Sequence, residues 1–176
     1  MNYFELYEIP ESFSIDRAAL KTKFYELSKR YHPDFYVNES PEKQQEILAL
    51  STLNNKAYQV LTDPAKRTAY ILSNHNLLEE GEKYQLSQDF LMNMMEINEA
   101  LMEAEFDTDA EKIQQLNSDI KQIESALGNE LKQYTEAFDA KASANPEDLL
   151  LKIKDVWFRQ KYLLRIRDSL NRFAAR

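Results

Sequence analysis

The side chains that could do chemistry in this 176-residue chain are few, and the most notable is His32 in the tripeptide His32-Pro33-Asp34. The chain has only one other histidine, His75, and no cysteine, which excludes disulfides and thiolate chemistry. An imidazole could act as a general base, but a base needs a positioned substrate and oriented partners. We find no phosphate loop or paired nucleophile, and no carboxylates at metal-ligand spacing from either histidine. We therefore expect no enzyme activity, no metal and no cofactor.

The tripeptide is typical of a helix that ends at an exposed loop. Proline lacks an N–H group and disfavours the helical conformation of the residue before it, so the preceding helix should end near His32. Pro33 then stiffens the loop, and the Asp34 carboxylate can accept hydrogen bonds from backbone N–H groups in a turn. Taken alone, the tripeptide is equally compatible with an ordinary helix end that carries an incidental histidine.

A basic amphipathic helix is predicted before the loop, with Ser14 or Asp16 as its N-cap. Its apolar positions recur at helical spacing, at Leu20, Phe24, Leu27 and Tyr31. Residues 16–31 carry five basic and two acidic side chains, although the whole chain has a net charge of −8. One flank of the apolar stripe holds Arg17, Lys21, Tyr25 and Lys29. This flank is either a solvated face or, as we interpret it, a docking face for an acidic partner.

A second amphipathic helix is predicted over residues 41–61, and Asp63-Pro64 marks the start of a further short helix. Its inward positions are Ile47, Leu50, Leu53 or Asn54, Ala57 and Leu61. The first half of the chain is thus predicted to be two antiparallel helices joined by the His-Pro-Asp loop, with a short helix at each end.

This combination resembles the J-domain, the module by which J-proteins stimulate the ATPase of DnaK-type chaperones. The resemblance covers residues 1 to about 73 and rests on the loop after a basic helix and on a second motif, Ala57-Tyr58-x-x-Leu61-x-x-Pro64-x-x-Arg67-x-x-Tyr70. It implies a set of chaperone-binding residues: His32, Pro33, Asp34, Lys21, Tyr25 and Lys29. Many J-proteins have a lysine directly after the tripeptide. This chain has Phe35 there, which removes one basic contact.

The second half of the chain is predicted to be a separate helical domain. Residues 74–88 are polar and contain Gly81, one of the two glycines, so we place a linker there. The predicted organisation is a J-domain over 1–74, a linker over 75–88 and a three-helix antiparallel bundle over 89–176, which makes the fold all-α. The bundle helices are expected near 88–105, 109–138 and 147–172. His75 is expected to be a surface residue without a site.

The first helix of this bundle carries two apolar stripes, where a surface helix normally has one. Its core stripe is Phe90, Met94, Ile97 and Leu101. The second stripe is Leu91, Met95 and Met102, with Met92 beside it and Glu96 and Glu99 on its flank. Either the helix is buried among several neighbours, or the second stripe is an exposed, methionine-rich binding surface.

Residues 2–7 and this second half resemble the HscB-type J-proteins, which are co-chaperones of iron–sulfur cluster assembly. The resemblance implies a surface that binds the cluster scaffold protein, made of Leu91, Met92, Met95, Glu96, Glu99 and Tyr162. Met95 and Tyr162 replace the leucine and phenylalanine usual in the family, and both keep apolar volume. If this surface is exposed, alanine at Leu91, Met95 and Tyr162 should cost little stability. An adaptor that delivers a different client to a DnaK-type chaperone is the alternative function.

Charge and hydropathy exclude other classes of partner. Residues 1–75 carry a net charge of −1 and residues 76–176 a net charge of −7, so neither half has the basic footprint of a nucleic-acid binder. No apolar run approaches the roughly 18 residues of a membrane span. The N-terminus lacks the basic and apolar regions of a signal peptide. We therefore expect a cytoplasmic protein with no nucleic-acid or membrane partner.

Overall fold

The computed structural model describes residues 1–175, apart from the side chain of Phe173. Within these residues there is no β-strand, which confirms the predicted all-α fold. The elements are α1 (Tyr3–Leu6), α2 (Arg17–Arg30), a 3-10 helix (Pro33–Tyr36), α3 (Pro41–Thr62), α4 (Pro64–Asn74), α5 (Gln88–Phe106), α6 (Ala110–Asp139) and α7 (Pro146–Ala174). The chain divides into two compact units, Met1–His75 and the part from Asn76 onward. The domain boundaries predicted from the sequence remain a prediction.

Local capping residues determine where the helices begin. The side chains that cap the N-termini of α2 to α6 belong to Asp16, Ser40, Asp63, Ser87 and Asp109. Each of them accepts a hydrogen bond from a backbone N–H group of the first helical turn, which has no partner within the helix. Proline occupies the first turn of α3 and α4, where its missing N–H costs nothing.

The core of the first unit is formed by α2 packed against α3, and it contains one hydrogen-bonded polar cluster. Asn54, rather than Leu53, is the inward residue of α3, with 1% of its surface exposed. The Tyr7 hydroxyl donates to Asn54 Oδ1 at 2.7 Å, and Asn54 Nδ2 donates to Ser28 Oγ at 3.1 Å. Because these bonds join the segment after α1 to both long helices, they fix the pairing of the helices that carry the loop.

The motif shared with J-domains over residues 57–70 serves packing in this structure. Ala57 and Leu61 are fully buried. The Arg67 guanidinium donates to the carbonyl oxygen of Phe13 at 2.9 Å. The ring of Tyr70 stacks on Tyr3 with centroids 4.4 Å apart. These contacts attach α4 and the N-terminal segment to the hairpin. At the end of α4, His75 Nε2 lies 2.6 Å from a carboxylate oxygen of Glu11.

The second unit is a bundle in which α6 and α7 form the longest interface and α5 packs on both. Its buried core side chains are Phe90, Met94, Ala104, Leu116, Ile120, Leu127, Val156, Leu163, Ile166 and Leu170. Arg159 on α7 makes a bidentate contact with Glu130 on α6, at 3.0 and 2.7 Å, and a further contact with Asp155 at 2.8 Å. Such a two-bond contact has a narrow geometry, so it specifies the register of α6 against α7.

Part of the predicted linker packs against α7 within the second unit. Tyr84 stacks on Phe158 with centroids 4.5 Å apart, and its hydroxyl donates to Asp155 at 2.8 Å. Glu82 pairs with Lys154 at 2.6 Å. Residues 82–86 are therefore held by contacts with side chains about 70 positions later in the sequence.

Candidate protein-interaction sites

The His32-Pro33-Asp34 tripeptide lies where α2 ends, and all three side chains are exposed. The 3-10 helix begins at Pro33, and His32 is its N-cap. The backbone N–H of Asp34 donates to His32 Nδ1 at 3.3 Å, so a neutral His32 ring carries its proton on Nε2. The exposed His32 ring, with Nδ1 3.8 Å from Asp34 Oδ2, and the exposed Asp34 carboxylate thus offer a partner two neighbouring hydrogen-bonding groups.

The loop around the tripeptide is tied to both long helices of the first unit. The Tyr36 hydroxyl donates to the carbonyl oxygen of Arg30 at 2.8 Å, which holds the loop to the end of α2. Gln44 Nε2 donates to the carbonyl oxygens of Val37 at 3.2 Å and Glu39 at 2.9 Å, which holds it to the start of α3. The exposed tripeptide is therefore preorganised, and binding need not pay for ordering it.

Two exposed apolar side chains lie next to the tripeptide. Phe35 is 74% exposed, and its ring meets the His32 ring edge-on at 5.7 Å between centroids. Val37 is also exposed. From the sequence, Phe35 counted only as a missing lysine. The structure shows that it adds apolar surface at the loop, and the run Phe35-Tyr36-Val37 was the available signal.

The basic face of α2 has Lys21, Tyr25 and Lys29 exposed along one flank, as predicted. Lys21 Nζ lies 6.0 Å from the centroid of the Tyr25 ring. Other cations of the helix are already paired, Lys23 with Glu8 at 2.6 Å and Arg30 with Glu26 at 2.7 Å. Among the described residues, Lys21 and Lys29 form no ion pair. Arg17 on the same flank is also in no ion pair with those residues, but it donates to the carbonyl oxygen of Thr62 at 3.3 Å. The ammonium groups of Lys21 and Lys29 are therefore the charges of this flank most available to an acidic partner.

The two stripes of α5 have opposite environments. Phe90 and Met94 lie in the core of the second unit, whereas Met92 is 64% and Met95 60% exposed. Leu91 is half-buried beside them, and the flanking carboxylates of Glu96 and Glu99 are exposed. The alternative in which both stripes are buried among neighbouring helices is therefore wrong.

Tyr162 lies between the exposed stripe of α5 and the core of the second unit. It lies on α7 and is half-buried. Its ring meets the ring of Phe90 at 5.8 Å between centroids, and its hydroxyl oxygen accepts a hydrogen bond from Asn98 Nδ2 at 3.2 Å. Because of these contacts, alanine at Tyr162 should cost stability, contrary to the expectation from the sequence. We name Leu91, Met92, Met95 and Tyr162, with Glu96 and Glu99, the Met surface.

The pKa values of three groups in the second unit are shifted by ion pairs, hydrogen bonds and burial. Hydrogen bonds from Arg159 hold the pKa of Glu130 below its usual value, and a hydrogen bond from Lys154 does the same for the pKa of Glu82. Burial, with the Asp155 carboxylate beside it, raises the pKa of Tyr84 to about 12. These groups stabilise the bundle, and none of them belongs to the tripeptide or to the Met surface.

The part of the chain that the structure describes contains no cluster of three or more histidine, aspartate or glutamate side chains able to hold a metal ion. Nor does any helix in residues 1–175 combine the length and apolarity needed to cross a bilayer. The candidate sites among the described residues are the exposed His32-Pro33-Asp34 loop with the basic face of α2, and the Met surface.

Comparison with protein families identifies both units. The DnaJ domain model matches residues 2–70, and the model described as the HSCB C-terminal oligomerisation domain matches residues 86–171. A helical hairpin with an exposed His-Pro-Asp loop, matched by the DnaJ model, defines a J-domain protein.

Individual relatives specify the kind of J-domain protein. The "Co-chaperone protein HscB homolog" of Vibrio vulnificus is 42% identical over 113 residues, which is 63% of this chain and 66%, slightly under two thirds, of the relative. The human "Iron-sulfur cluster co-chaperone protein HscB" is 31% identical over 170 residues, 96% of this chain and 67% of the relative. The crystal structure of human co-chaperone protein HscB superposes with a TM-score of 0.74 at 28% identity, covering 97% of this chain and 81% of that one. The chain belongs to the HscB family of co-chaperones.

Proposed function

We propose that this protein is a co-chaperone of iron–sulfur cluster assembly. In this proposal the first unit stimulates the ATPase of a DnaK/HscA-type chaperone, and the second unit binds the cluster scaffold protein and delivers it to that chaperone. The observation that carries the proposal is the exposure of the His32-Pro33-Asp34 loop in one compact unit and of Met92 and Met95 in the other. The name of the human relative supports the assignment to iron–sulfur clusters. We place this activity in the cytoplasm.

On the chaperone side, the proposed contacts have two roles: some residues attract the chaperone, and others orient it at the loop. Lys21 and Lys29, which form no ion pair within the described residues, attract an acidic surface, and such exposed charges act mainly on the association rate. His32 and Asp34 then offer a directional donor and acceptor from a loop held at both ends. Pro33 limits the conformations of that loop. The protein itself makes and breaks no covalent bond in this proposal.

On the scaffold side, the Met surface combines an apolar centre with a charged edge. Met92 and Met95 present flexible thioether side chains that adapt to a partner's shape. Glu96 and Glu99 lie on the same helix as a polar rim. Interfaces of this type draw most of their affinity from a few central side chains, and rim charges contribute orientation.

The test is the ATPase rate of the chaperone, measured with this protein and with the purified scaffold protein. His32→Gln leaves the core contacts intact because His32 is exposed, so the variant should melt like the wild type and bind the scaffold normally. It should no longer stimulate ATP hydrolysis. Normal stimulation by the folded variant would refute the proposed role of the loop. Stimulation of the chaperone without any binding of the scaffold would instead support an adaptor for another client.

A further inference from the structure

A pocket of about 330 Å³ lies in the second unit, between residues 82–86 and the middle of α7. Of the residues predicted to bind the chaperone or the scaffold protein, Tyr162 alone lines this pocket. Its walls include the stacked rings of Tyr84 and Phe158, together with the ring of Tyr162. The hydrogen bond from Tyr84 to Asp155 and the pair between Glu82 and Lys154 hold the 82–86 side of the pocket in place. It is therefore a half-open pocket with an aromatic lining, whose 82–86 side is held by contacts with α7.

The charge of this pocket is opposite to that of the unit around it. Three cations line it, namely Lys83, Lys161 and Arg165. All three are exposed, and none takes part in an ion pair among the residues described. Lys161 Nζ instead lies 4.9 Å from the centroid of the Trp157 ring. The one acidic side chain at the pocket, Glu82, is already neutralised by Lys154 at 2.6 Å.

Tyr162 connects this pocket with the Met surface. On the α5 side it contacts Phe90 and accepts the hydrogen bond from Asn98, which lies on the same stripe as Leu91 and Met95. On the other side the same ring lines the pocket. A protein that covers the Met surface and passes over Tyr162 therefore reaches the three cations within the same interface.

We propose that the pocket binds an acidic segment of the protein that docks on the Met surface, with its carboxylates at Lys83, Lys161 and Arg165. This inference rests on the proposed function, because it assumes that the Met surface binds the scaffold protein. Charge complementarity supports the choice of ligand: three cations without ion pairs in the described part of the chain, at an aromatic-lined pocket, favour carboxylates, whereas Glu96 and Glu99 on the other edge favour basic groups. The two edges of one apolar surface thus carry opposite signs, which allows the client to bind in one orientation only.

The test measures the affinity of the purified scaffold protein for two double variants that have the same net charge. The pocket variant is Lys161→Gln/Arg165→Gln, and the matched control is Lys121→Gln/Lys141→Gln, which removes two exposed cations elsewhere in the same unit. The pocket variant should bind about three- to tenfold more weakly at low salt, as expected for the loss of two partly exposed ion pairs. Its affinity should also depend less on salt than that of the wild type. The control and the charge-preserving variant Lys161→Arg/Arg165→Lys should bind within about twofold of the wild type.

Melting curves establish that each variant is folded before binding is compared. If the folded pocket variant binds as tightly as the control, the inference is wrong and the Met surface can still be the scaffold site. An equal loss in both double variants would show only a general charge effect and would also refute it. If the wild type does not bind the scaffold protein at all, the proposed function fails and the inference fails with it.

Discussion

Met94 and Met95 are adjacent residues of the same type, about 100° apart around α5, and they give the strictest test of the Met surface. Met94 is 1% exposed and Met95 is 60% exposed. Burying a methionine side chain completely stabilises a protein by about 1.5–3 kcal/mol, and Met95 has less than half of its surface buried. Met95→Ala should therefore cost about 1 kcal/mol or less. Met94→Ala leaves a cavity in the core and should cost about 2–5 kcal/mol.

These free energies can be measured as melting temperatures. For a unit of about 100 residues, 1 kcal/mol corresponds to roughly 4–8 °C. Met95→Ala should lower the melting temperature of the second unit by about 4–8 °C at most, and Met94→Ala by about 8 °C at least, rising to several tens of degrees for the larger cost. The effects of the two substitutions on scaffold binding should be in the reverse order. Met95→Ala should weaken the scaffold complex about tenfold or more, as a central interface residue does. Met94→Ala should bind nearly normally at a temperature where it is folded.

Two results would refute this reasoning. If Met95→Ala melted as early as Met94→Ala, Met95 would be a packing residue in solution. If both variants were stable enough to assay and Met95→Ala bound the scaffold normally, the client would dock elsewhere. Leu151→Ala, another exposed apolar side chain of this unit, is the control for a nonspecific loss of surface apolarity.

The remaining predictions concern charge. Lys21→Glu/Lys29→Glu should weaken chaperone binding, whereas Lys56→Glu, another exposed cation of the first unit, should not. Salt should weaken the wild-type complex, and a salt-insensitive complex would indicate apolar docking. The Arg159 contacts lower the pKa of Glu130 from its ordinary 4.5, so their stabilisation is complete above about that pH and is lost as pH falls through the lowered value. As pH is lowered through the acid range, the free energy of unfolding of the second unit should therefore fall less steeply in Glu130→Gln than in the wild type. The same pH dependence in both proteins would contradict this.

The features that the sequence predicted correctly are those set by neighbouring residues. Helix starts near Asp16 and Asp63 follow from a side chain that reaches N–H groups two or three residues ahead. The two stripes of α5 follow from helical periodicity. Periodicity could not decide which stripe was exposed, because that depends on where α6 and α7 pack. The resemblance to HscB-type proteins favoured exposure of the Met95 stripe, and the structure shows it.

The features that the sequence did not predict depend on contacts between distant positions. Residues 82–86 look like a polar linker, since nothing nearby indicates that Tyr84 stacks on Phe158. The pairing of Glu130 with Arg159 could not be predicted for the same reason, because the two residues are 29 positions apart in the sequence. Polar composition indicates a flexible segment only if no aromatic or charged partner elsewhere in the fold holds it.

Tyr162 shows why an exposed site and a packed core cannot always be separated by substitution. Met92 and Met95 are mostly exposed, so we expect their removal to affect the proposed scaffold binding more than the stability of the bundle. Tyr162 instead crosses from α7 to α5, where its ring contacts Phe90 and its hydroxyl binds Asn98. Loss of binding in a Tyr162→Ala variant could then arise from a displaced α5 as well as from a missing contact. The methionines are therefore the residues at which binding and stability can be measured independently, whereas substitution of Tyr162 also removes packing between α7 and α5.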